Sequence, residues 1–124
     1  MTRVLIVDDS KFMRLFIRKA LESYGLKDIE EAESGEEAIE KCEKTSPSLI
    51  FLDINMPKLN GLKLLEIFHK RNPSVKIIMI TALSQKFVIK EAFQKGAVAY
   101  ITKPFSMEKL LAVVKRLIQN EPNR

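Results

Sequence analysis

The sequence lacks the features of a membrane protein and of a disulfide-stabilised protein. No run of apolar residues exceeds five, whereas a transmembrane helix needs about 20 predominantly apolar residues. Cys42 is the one cysteine, so no internal disulfide can form. A strand-like apolar segment follows Arg3 directly, which leaves no room for a signal peptide. These absences predict a cytoplasmic protein without a membrane partner.

Motifs that bind nucleotides are also missing. The sequence contains no G-x-x-x-x-G-K-[ST] segment. A flavodoxin-like cofactor binder needs a phosphate loop rich in Gly, Ser and Thr after its first strand, and this chain has two aspartates there. The net charge is +5, but basic and acidic residues are interspersed and the densest basic patches are pairs. That distribution favours a solvated surface over direct contact with nucleic acid.

What is present is the composition of one folded domain. The chain has 124 residues, of which 46% are hydrophobic and 30% are charged. This length suits a single domain that buries about two-thirds of its unfolded surface. We assign residues 1–120 to the domain and residues 121–124 to a frayed tail.

Five apolar segments alternate with five amphipathic segments along the chain. Strands are predicted at 3–7, 28–32, 48–52, 75–80 and 98–102, and helices at about 11–24, 34–45, 61–71, 84–95 and 106–118. The second strand carries several charges, which is typical of a sheet edge. Strict alternation predicts an α/β fold with a parallel sheet, right-handed crossovers and helices on both faces.

The third predicted strand leads into an isolated carboxylate. Its residues 49–52 are all apolar, which indicates a strand buried on both faces. Asp53 follows directly, and the chain then turns at Asn55 and Pro57. Open α/β sheets bind ligands at this carboxyl edge. A buried carboxylate there needs a partner.

Four other polar residues reach the same edge of the predicted sheet. Asp8 and Asp9 end the first strand, Thr81 ends the fourth and Lys103 ends the fifth. Three close carboxylates, with a carbonyl from the loop after Asp53, suit a hard dication such as Mg²⁺. The ammonium and the hydroxyl suit the oxygens of a phosphoryl group. Asp53 is then the candidate nucleophile that forms an acyl phosphate.

Each member of this set has a simpler interpretation by itself. Asp8 and Asp9 can cap the first helix together with Ser10. Asp53 can cap the helix that follows its loop, and Lys103 can be a solvated surface lysine. The coincidence of all these groups at one edge favours the joint functional interpretation.

Four motifs identify a resemblance to a known family. They are Val7-Asp8-Asp9-Ser10, Leu52-Asp53-Ile54-Asn55-Met56-Pro57, Ile80-Thr81-Ala82 and Tyr100-Ile101-Thr102-Lys103-Pro104-Phe105. In order and spacing, the chain resembles the receiver domains of two-component response regulators, and most of all the stand-alone chemotaxis type. The resemblance implies a flavodoxin-like fold with strand order 2-1-3-4-5.

The resemblance also implies roles for the acidic residues. Asp53 would be the phosphoacceptor for a histidine kinase and would carry a 4-aspartylphosphate. Asp9, Asp53 and the carbonyl of Asn55 would bind Mg²⁺, with Asp8 helping through water. The protein would then be a signalling switch that catalyses only its own phosphorylation and dephosphorylation.

A second set of residues would bind the phosphoryl group and transmit its presence. By the resemblance, Thr81 and Lys103 bind the phosphoryl oxygens, and the peptide bond before Pro104 is cis. Thr81 and the aromatic Tyr100 form the switch that biases the fourth helix, fifth strand and fifth helix towards an output partner. That partner would be a flagellar motor switch protein or another target, and the protein a monomer or a phosphorylation-dependent dimer.

Several alternatives stay open at this point. One is a fragment of a larger DNA-binding response regulator. Another is a metal-dependent phosphatase, but that class needs a carboxylate two residues after its nucleophile, where this chain has Asn55. Leu83 departs from the best-known chemotaxis member, which carries an acidic residue there, and bears on the lifetime of the phosphate. His69 is interpreted as solvated, and Phe87 or Phe93 as part of the inner face of the fourth helix.

Overall fold

A parallel sheet of five strands carries five helices, in the order predicted from the sequence. The computed structural model describes residues 2–56 and 60–119. The strands are β1 (Arg3–Val7), β2 (Asp28–Ala32), β3 (Leu49–Leu52), β4 (Lys76–Thr81) and β5 (Ala99–Thr102). Their order in the sheet is β2-β1-β3-β4-β5, and every pair is parallel. The predicted fold class and strand order are confirmed.

Most of the helices follow a residue whose side chain satisfies a free backbone N–H group, whereas Gln85, which precedes the fourth helix, makes no such hydrogen bond. They are α1 (Lys11–Ser23), α2 (Gly35–Thr45), α3 (Gly61–Arg71), α4 (Lys86–Gln94) and α5 (Met107–Gln119). Ser10 and Ser34 cap α1 and α2 by accepting a hydrogen bond from the third helical residue. Asn60 caps α3 in the same way, so the simpler interpretation of Asp53 as the cap of that helix is wrong.

The core consists of two layers, one on each face of the sheet. Alternate strand residues point to opposite faces, so Val4 and Ile6 join one layer and Leu5 and Val7 the other. The first layer includes residues of α1 and α5, and the second residues of α2, α3 and α4. The central strand β3 is buried along its whole length, which confirms its prediction as a strand covered on both faces.

The fourth helix differs from its prediction. It begins at Lys86 rather than near position 84 and turns Val88 and Ala92 to the core. Phe87 and Phe93 are 72% and 46% exposed, so their prediction as inner-face residues is wrong. The helix is too short to bury a wide apolar stripe, and its two small core residues fill the space against the sheet.

His69, predicted to be solvated, is only partly exposed. Its Nδ1 is buried and has no hydrogen-bond partner among the described residues. Gly96 has a φ of +118°, and a Cβ at that position would lie 2.5 Å from the Cγ of His69. The ring therefore packs against a backbone position that only glycine leaves open.

Two further findings complete the comparison with the sequence. Within the described ranges, no helix combines the length and the apolar character that crossing a bilayer requires. The turn predicted at Pro57 and the tail predicted at 121–124 lie outside the described residues.

Candidate functional site

The buried polar side chains of the described chain gather at the carboxyl edge of the sheet. Asp8, Asp53 and Thr81 are 2%, 4% and 0% exposed, and they follow or end the strands β1, β3 and β4. Lys103 follows β5, and Asp9 lies exposed next to Asp8. The structure thus brings the five candidate side chains to one edge because parallel strands end on the same side.

Three of these residues form a cluster of carboxylates. Asp8, Asp9 and Asp53 each offer one oxygen, and the three oxygens lie within 4.8 Å of one another. Burial is the largest influence on Asp8 and raises its pKa, although its hydrogen bonds with Lys103 and Ser10 act in the opposite direction. A cluster of hard carboxylate oxygens fits a dication such as Mg²⁺.

The ammonium of Lys103 bridges two of the carboxylates. Its Nζ donates hydrogen bonds to Oδ2 of Asp8 at 2.9 Å and to Oδ2 of Asp53 at 3.2 Å. Burial by itself would lower the pKa of Lys103, but the hydrogen bond and charge of Asp8, helped by Asp53, raise it. Lys103 therefore stays cationic and holds the two aspartates in fixed positions.

The backbone next to Asp53 fixes its carboxylate from the other side. Oδ1 of Asp53 accepts a hydrogen bond from the N–H of Asn55 at 3.1 Å. The N–H of Asp53 donates to the carbonyl of Val7 at 3.1 Å and so continues the pairing of β3 with β1. The side chain of Asn55 is exposed. Both oxygens of Asp53 thus have a donor, and its backbone is part of the sheet.

Thr81 and Tyr100 are connected through Leu83. The hydroxyl of Thr81 accepts a hydrogen bond from the N–H of Leu83 at 3.4 Å, and the hydroxyl of Tyr100 donates to the carbonyl of Leu83 at 2.6 Å. The carbonyl of Thr81 also accepts a hydrogen bond from the N–H of Lys103 at 2.8 Å. Burial raises the pKa of Tyr100, and the negative charge of Asp53 adds to that effect. The half-buried phenol is therefore neutral and tied to the segment that follows β4.

The peptide bond between Lys103 and Pro104 is cis, as the resemblance implied.

Gly61 is a residue of the site that the sequence interpretation missed. A Cβ at this position would overlap the carbonyl oxygen of Asp53 and lie 2.6 Å from the Cα of Ile54. The N–H of Gly61 donates to the carbonyl of Ile54 at 2.8 Å. Glycine lets the start of α3 close against the backbone of Asp53. The signal in the sequence was a glycine in the first turn of a helix, directly after the cap Asn60, where glycine is a poor helix former.

The arrangement can receive a phosphoryl group. A buried carboxylate, an ammonium and a hydroxyl lie at the ends of adjacent strands, and they face a cluster that can bind a dication. Such groups stabilise the charge of a phosphoryl group in transfer by position and electrostatics alone.

Comparison with known proteins agrees with this chemistry. The family model of the response regulator receiver domain matches residues 4–115. The chain is 36% identical to the chemotaxis protein CheY of Bacillus subtilis (strain 168) over 116 residues, which cover 94% of this chain and 97% of that protein. It is also 43% identical to Protein CcdB of the same organism over 118 residues, which cover 95% and 98% of the two chains.

Solved structures show the same similarity. A CheY-like receiver domain protein from Methanospirillum hungatei JF-1 superposes with a TM-score of 0.90 at 33% identity and covers 96% of this chain and 94% of its own. The CheX–CheY–BeF₃–Mg²⁺ complex from Borrelia burgdorferi matches with a TM-score of 0.90 at 34% identity, with coverages of 94% and 89%. NtrX from Brucella abortus matches over 96% of this chain but only 27% of its own, with a TM-score of 0.88 at 29% identity.

Proposed function

The chain belongs to the response regulator receiver family, and from this premise we propose that it is a phosphorylation-activated switch whose acceptor is Asp53. The observation that carries the proposal is the position of Asp53. Its carboxylate is 4% exposed at the end of the central strand, with the Nζ of Lys103 3.2 Å away and a carboxylate cluster beside it. We assign the receiver domain to residues 1–120 and place the protein in the cytoplasm.

In the proposed reaction, an oxygen of Asp53 attacks the phosphorus of a phosphohistidine on a histidine kinase. The P–O bond to Asp53 forms, the P–N bond breaks, and its electron pair leaves with the imidazole nitrogen. Lys103 transfers its hydrogen bond from Asp53 to an oxygen of the phosphoryl group, and Thr81 donates its hydroxyl to another. These two hydrogen bonds, from donors held in fixed positions, offset the repulsion between the negative phosphoryl oxygens and the carboxylate of the acceptor.

We propose that Asp8, Asp9, Asp53 and the carbonyl of Asn55 hold Mg²⁺. The three carboxylates fit because one oxygen of each lies within 4.8 Å of the others. When bound, Mg²⁺ would offset the negative charge of the phosphoryl oxygens. Apart from its own phosphorylation and dephosphorylation, the protein would not be an enzyme.

The contacts around Leu83 support a route from the acceptor to the output surface. When the hydroxyl of Thr81 turns to the phosphoryl group, it leaves the N–H of Leu83, whose carbonyl holds the hydroxyl of Tyr100. A shift of Leu83 therefore alters the anchor of Tyr100. Tyr100 lies in β5, between α4 and α5, so its movement changes the α4-β5-α5 surface that we propose binds the output partner.

A stand-alone chemotaxis-type regulator is the form we propose. The chain spans nearly the whole length of the CheY relative, and the CheY from Borrelia burgdorferi is seen in complex with CheX. An output partner of that kind, or a flagellar motor switch protein, fits the proposal, and direct binding of nucleic acid is not part of it. The alternative is a receiver segment of a larger DNA-binding regulator. The match to 27% of the longer NtrX chain supports only the part of this alternative that makes the chain a segment of a larger protein.

The test compares the reaction of acetyl phosphate with the parent protein, Asp53→Asn and Asp28→Asn, in which the phosphoryl group is transferred and acetate is released. Asp28 is an exposed carboxylate paired with Arg3 at the opposite end of the sheet, at 2.9 Å. We expect the parent and Asp28→Asn to gain one phosphoryl group by mass spectrometry in the presence of Mg²⁺, and Asp53→Asn to gain none. Modification of Asp53→Asn to the same extent as the parent would contradict the proposal.

A further inference from the structure

An arginine of the first helix contacts the backbone of the acidic cluster. Nη1 of Arg14 donates a hydrogen bond to the carbonyl of Asp8 at 2.7 Å. The side chain of Arg14 is only 11% exposed. A hydrogen bond from a charged donor is stronger than one from a neutral donor, and burial protects it from competition by water. The position of the Asp8 carbonyl is therefore fixed by this guanidinium.

The other side of the guanidinium is held by the edge strand. Nε of Arg14 donates to Oε1 of Glu31 in β2 at 3.0 Å, and Nε of Arg18 donates to Oε2 of the same carboxylate at 2.6 Å. Glu31 pairs in register with Ile6 of β1, close to the end of that strand. The contact with β2 thus fixes the orientation of the Arg14 guanidinium, which also contacts the acidic cluster.

Asp9 is the carboxylate whose direction depends on this contact. The carbonyl of Asp8 belongs to the planar peptide group that ends at the Cα of Asp9, so a fixed oxygen fixes that Cα. The other polar groups of Asp8 have partners, because its N–H donates to Ala32 and its carboxylate accepts from Ser10 and Lys103. The exposed carboxylate of Asp9 makes no hydrogen bond with the described residues. Its place in the cluster therefore depends on the position of its backbone.

We propose that Arg14 is a positioning residue that directs Asp9 into the metal site. The inference depends on the Mg²⁺ site proposed above. A guanidinium can donate to Glu31 and to the Asp8 carbonyl at once through separate nitrogens of one rigid plane. A lysine ammonium at the same position is a compact point charge and cannot reproduce that fork.

Arg18 supplies a matched control within the same network. It donates to the same carboxylate of Glu31, but its second hydrogen bond goes to the carbonyl of Ile29 in β2, at 3.0 Å. Calorimetric titration with Mg²⁺ alone should show that Arg14→Lys raises the dissociation constant about 10-fold, whereas Arg18→Lys changes it less than about 3-fold. Denaturant unfolding without metal should show similar losses of stability for both variants.

A double-mutant cycle separates positioning from a general loss of structure. Because Arg14 acts through Asp9, Arg14→Lys should weaken Mg²⁺ binding little when Asp9→Asn is already present. Independent losses in the double variant, an unchanged affinity of Arg14→Lys, or an equal loss in Arg18→Lys would overturn the inference while leaving the proposed function intact. Failure of the parent protein itself to bind Mg²⁺ would instead contradict the proposed function, and this inference with it.

Discussion

Asp8 and Glu31 lie on neighbouring strands, but their surroundings shift their pKa values in opposite directions. Asp8 is buried at the end of β1 and shares the ammonium of Lys103 with Asp53, so that burial dominates and raises its pKa. Burial also acts to raise the pKa of Glu31, but the hydrogen bonds and charges of Arg18 and Arg14 outweigh it and lower that pKa.

The difference lies in the ratio of cations to carboxylates. One carboxylate of β2 has two guanidinium partners, whereas the described residues at the sheet edge include three clustered carboxylates and the ammonium of Lys103. When all of these groups at the edge are ionised, they carry a formal charge of −2, which one dication balances. Carboxylates that outnumber their cationic partners, as at the sheet edge, are typical of a binding site. A carboxylate whose charge is balanced by cationic partners, as in Glu31, is typical of a group that stabilises the fold.

The largest expected effect comes from removing the ammonium of Lys103, which bridges two of these carboxylates. Lys103→Met removes the ammonium that donates to both Asp8 and Asp53. We expect the rate of phosphorylation to fall about 10²–10³-fold, as with the loss of other preorganised charge donors. Without metal the variant should lose about 3 kcal/mol of unfolding free energy, because a buried charge is left uncompensated.

Mg²⁺ then provides the decisive measurement for Lys103→Met. If the charge deficit is real, Mg²⁺ should stabilise this variant more than the parent in denaturant unfolding. Lys109→Met, which removes an exposed lysine of α5, is the control and should respond to Mg²⁺ like the parent. Equal stabilisation of Lys103→Met and the parent would remove the proposed contrast between the two regions.

A smaller effect is expected from Gly61→Ala at the same edge. The added Cβ meets the backbone of Asp53 and Ile54, and overpacking of this kind costs about 1–3 kcal/mol. Because the acceptor backbone must shift, both Mg²⁺ affinity and the rate of phosphorylation should fall. The Mg²⁺ affinity and the phosphorylation rate are both measured on the purified Gly61→Ala protein.

The matched glycine is Gly25, after the end of α1. It has a φ of +104°, and a Cβ there would meet nothing within 4 Å. Gly25→Ala should therefore lose about 1 kcal/mol from backbone strain alone, with unchanged Mg²⁺ affinity. If Gly25→Ala impairs the site as much as Gly61→Ala does, the close approach at Asp53 has no special role.

The location of the site could be predicted from the sequence, because it depends on the order and direction of the strands. Parallel strands end at one edge, so the polar residues after each apolar run had to meet there: Asp8, Asp9, Asp53, Thr81 and Lys103. The period of the apolar residues likewise located the five strands and five helices, with small shifts at their ends.

The sequence could not predict contacts made by side chains across different elements. Arg14 lies outside the apolar stripe of α1, which is typical of a solvated charge. Its partners are Asp8, directly after β1, and Glu31 in β2. The role of Gly61 depends on how the loop after β3 closes, and the packing of the His69 ring depends on the missing Cβ of Gly96. These contacts follow from tertiary packing, which leaves no periodic pattern along the chain.

The smallest expected effect concerns the fully paired carboxylate. Glu31→Gln removes an ionised acceptor of two arginines and should cost about 1–2 kcal/mol of unfolding free energy at pH 7. Since folding lowers the pKa of Glu31, its stabilisation is complete above the unfolded pKa of about 4.3. It is lost as the pH falls through the lower pKa of the folded state.

Denaturant unfolding of the parent and Glu31→Gln across acidic and neutral pH tests this sign. The difference between the two proteins should be largest at neutral pH and shrink towards strongly acidic pH. Asp28→Asn breaks an exposed pair with Arg3 and should change the stability by less than about 1 kcal/mol at any pH. A difference for Glu31→Gln that grows on acidification would mean that the two arginines do not compensate its burial. The difference between Asp8 and Glu31 would then reflect only how deeply each carboxylate is buried.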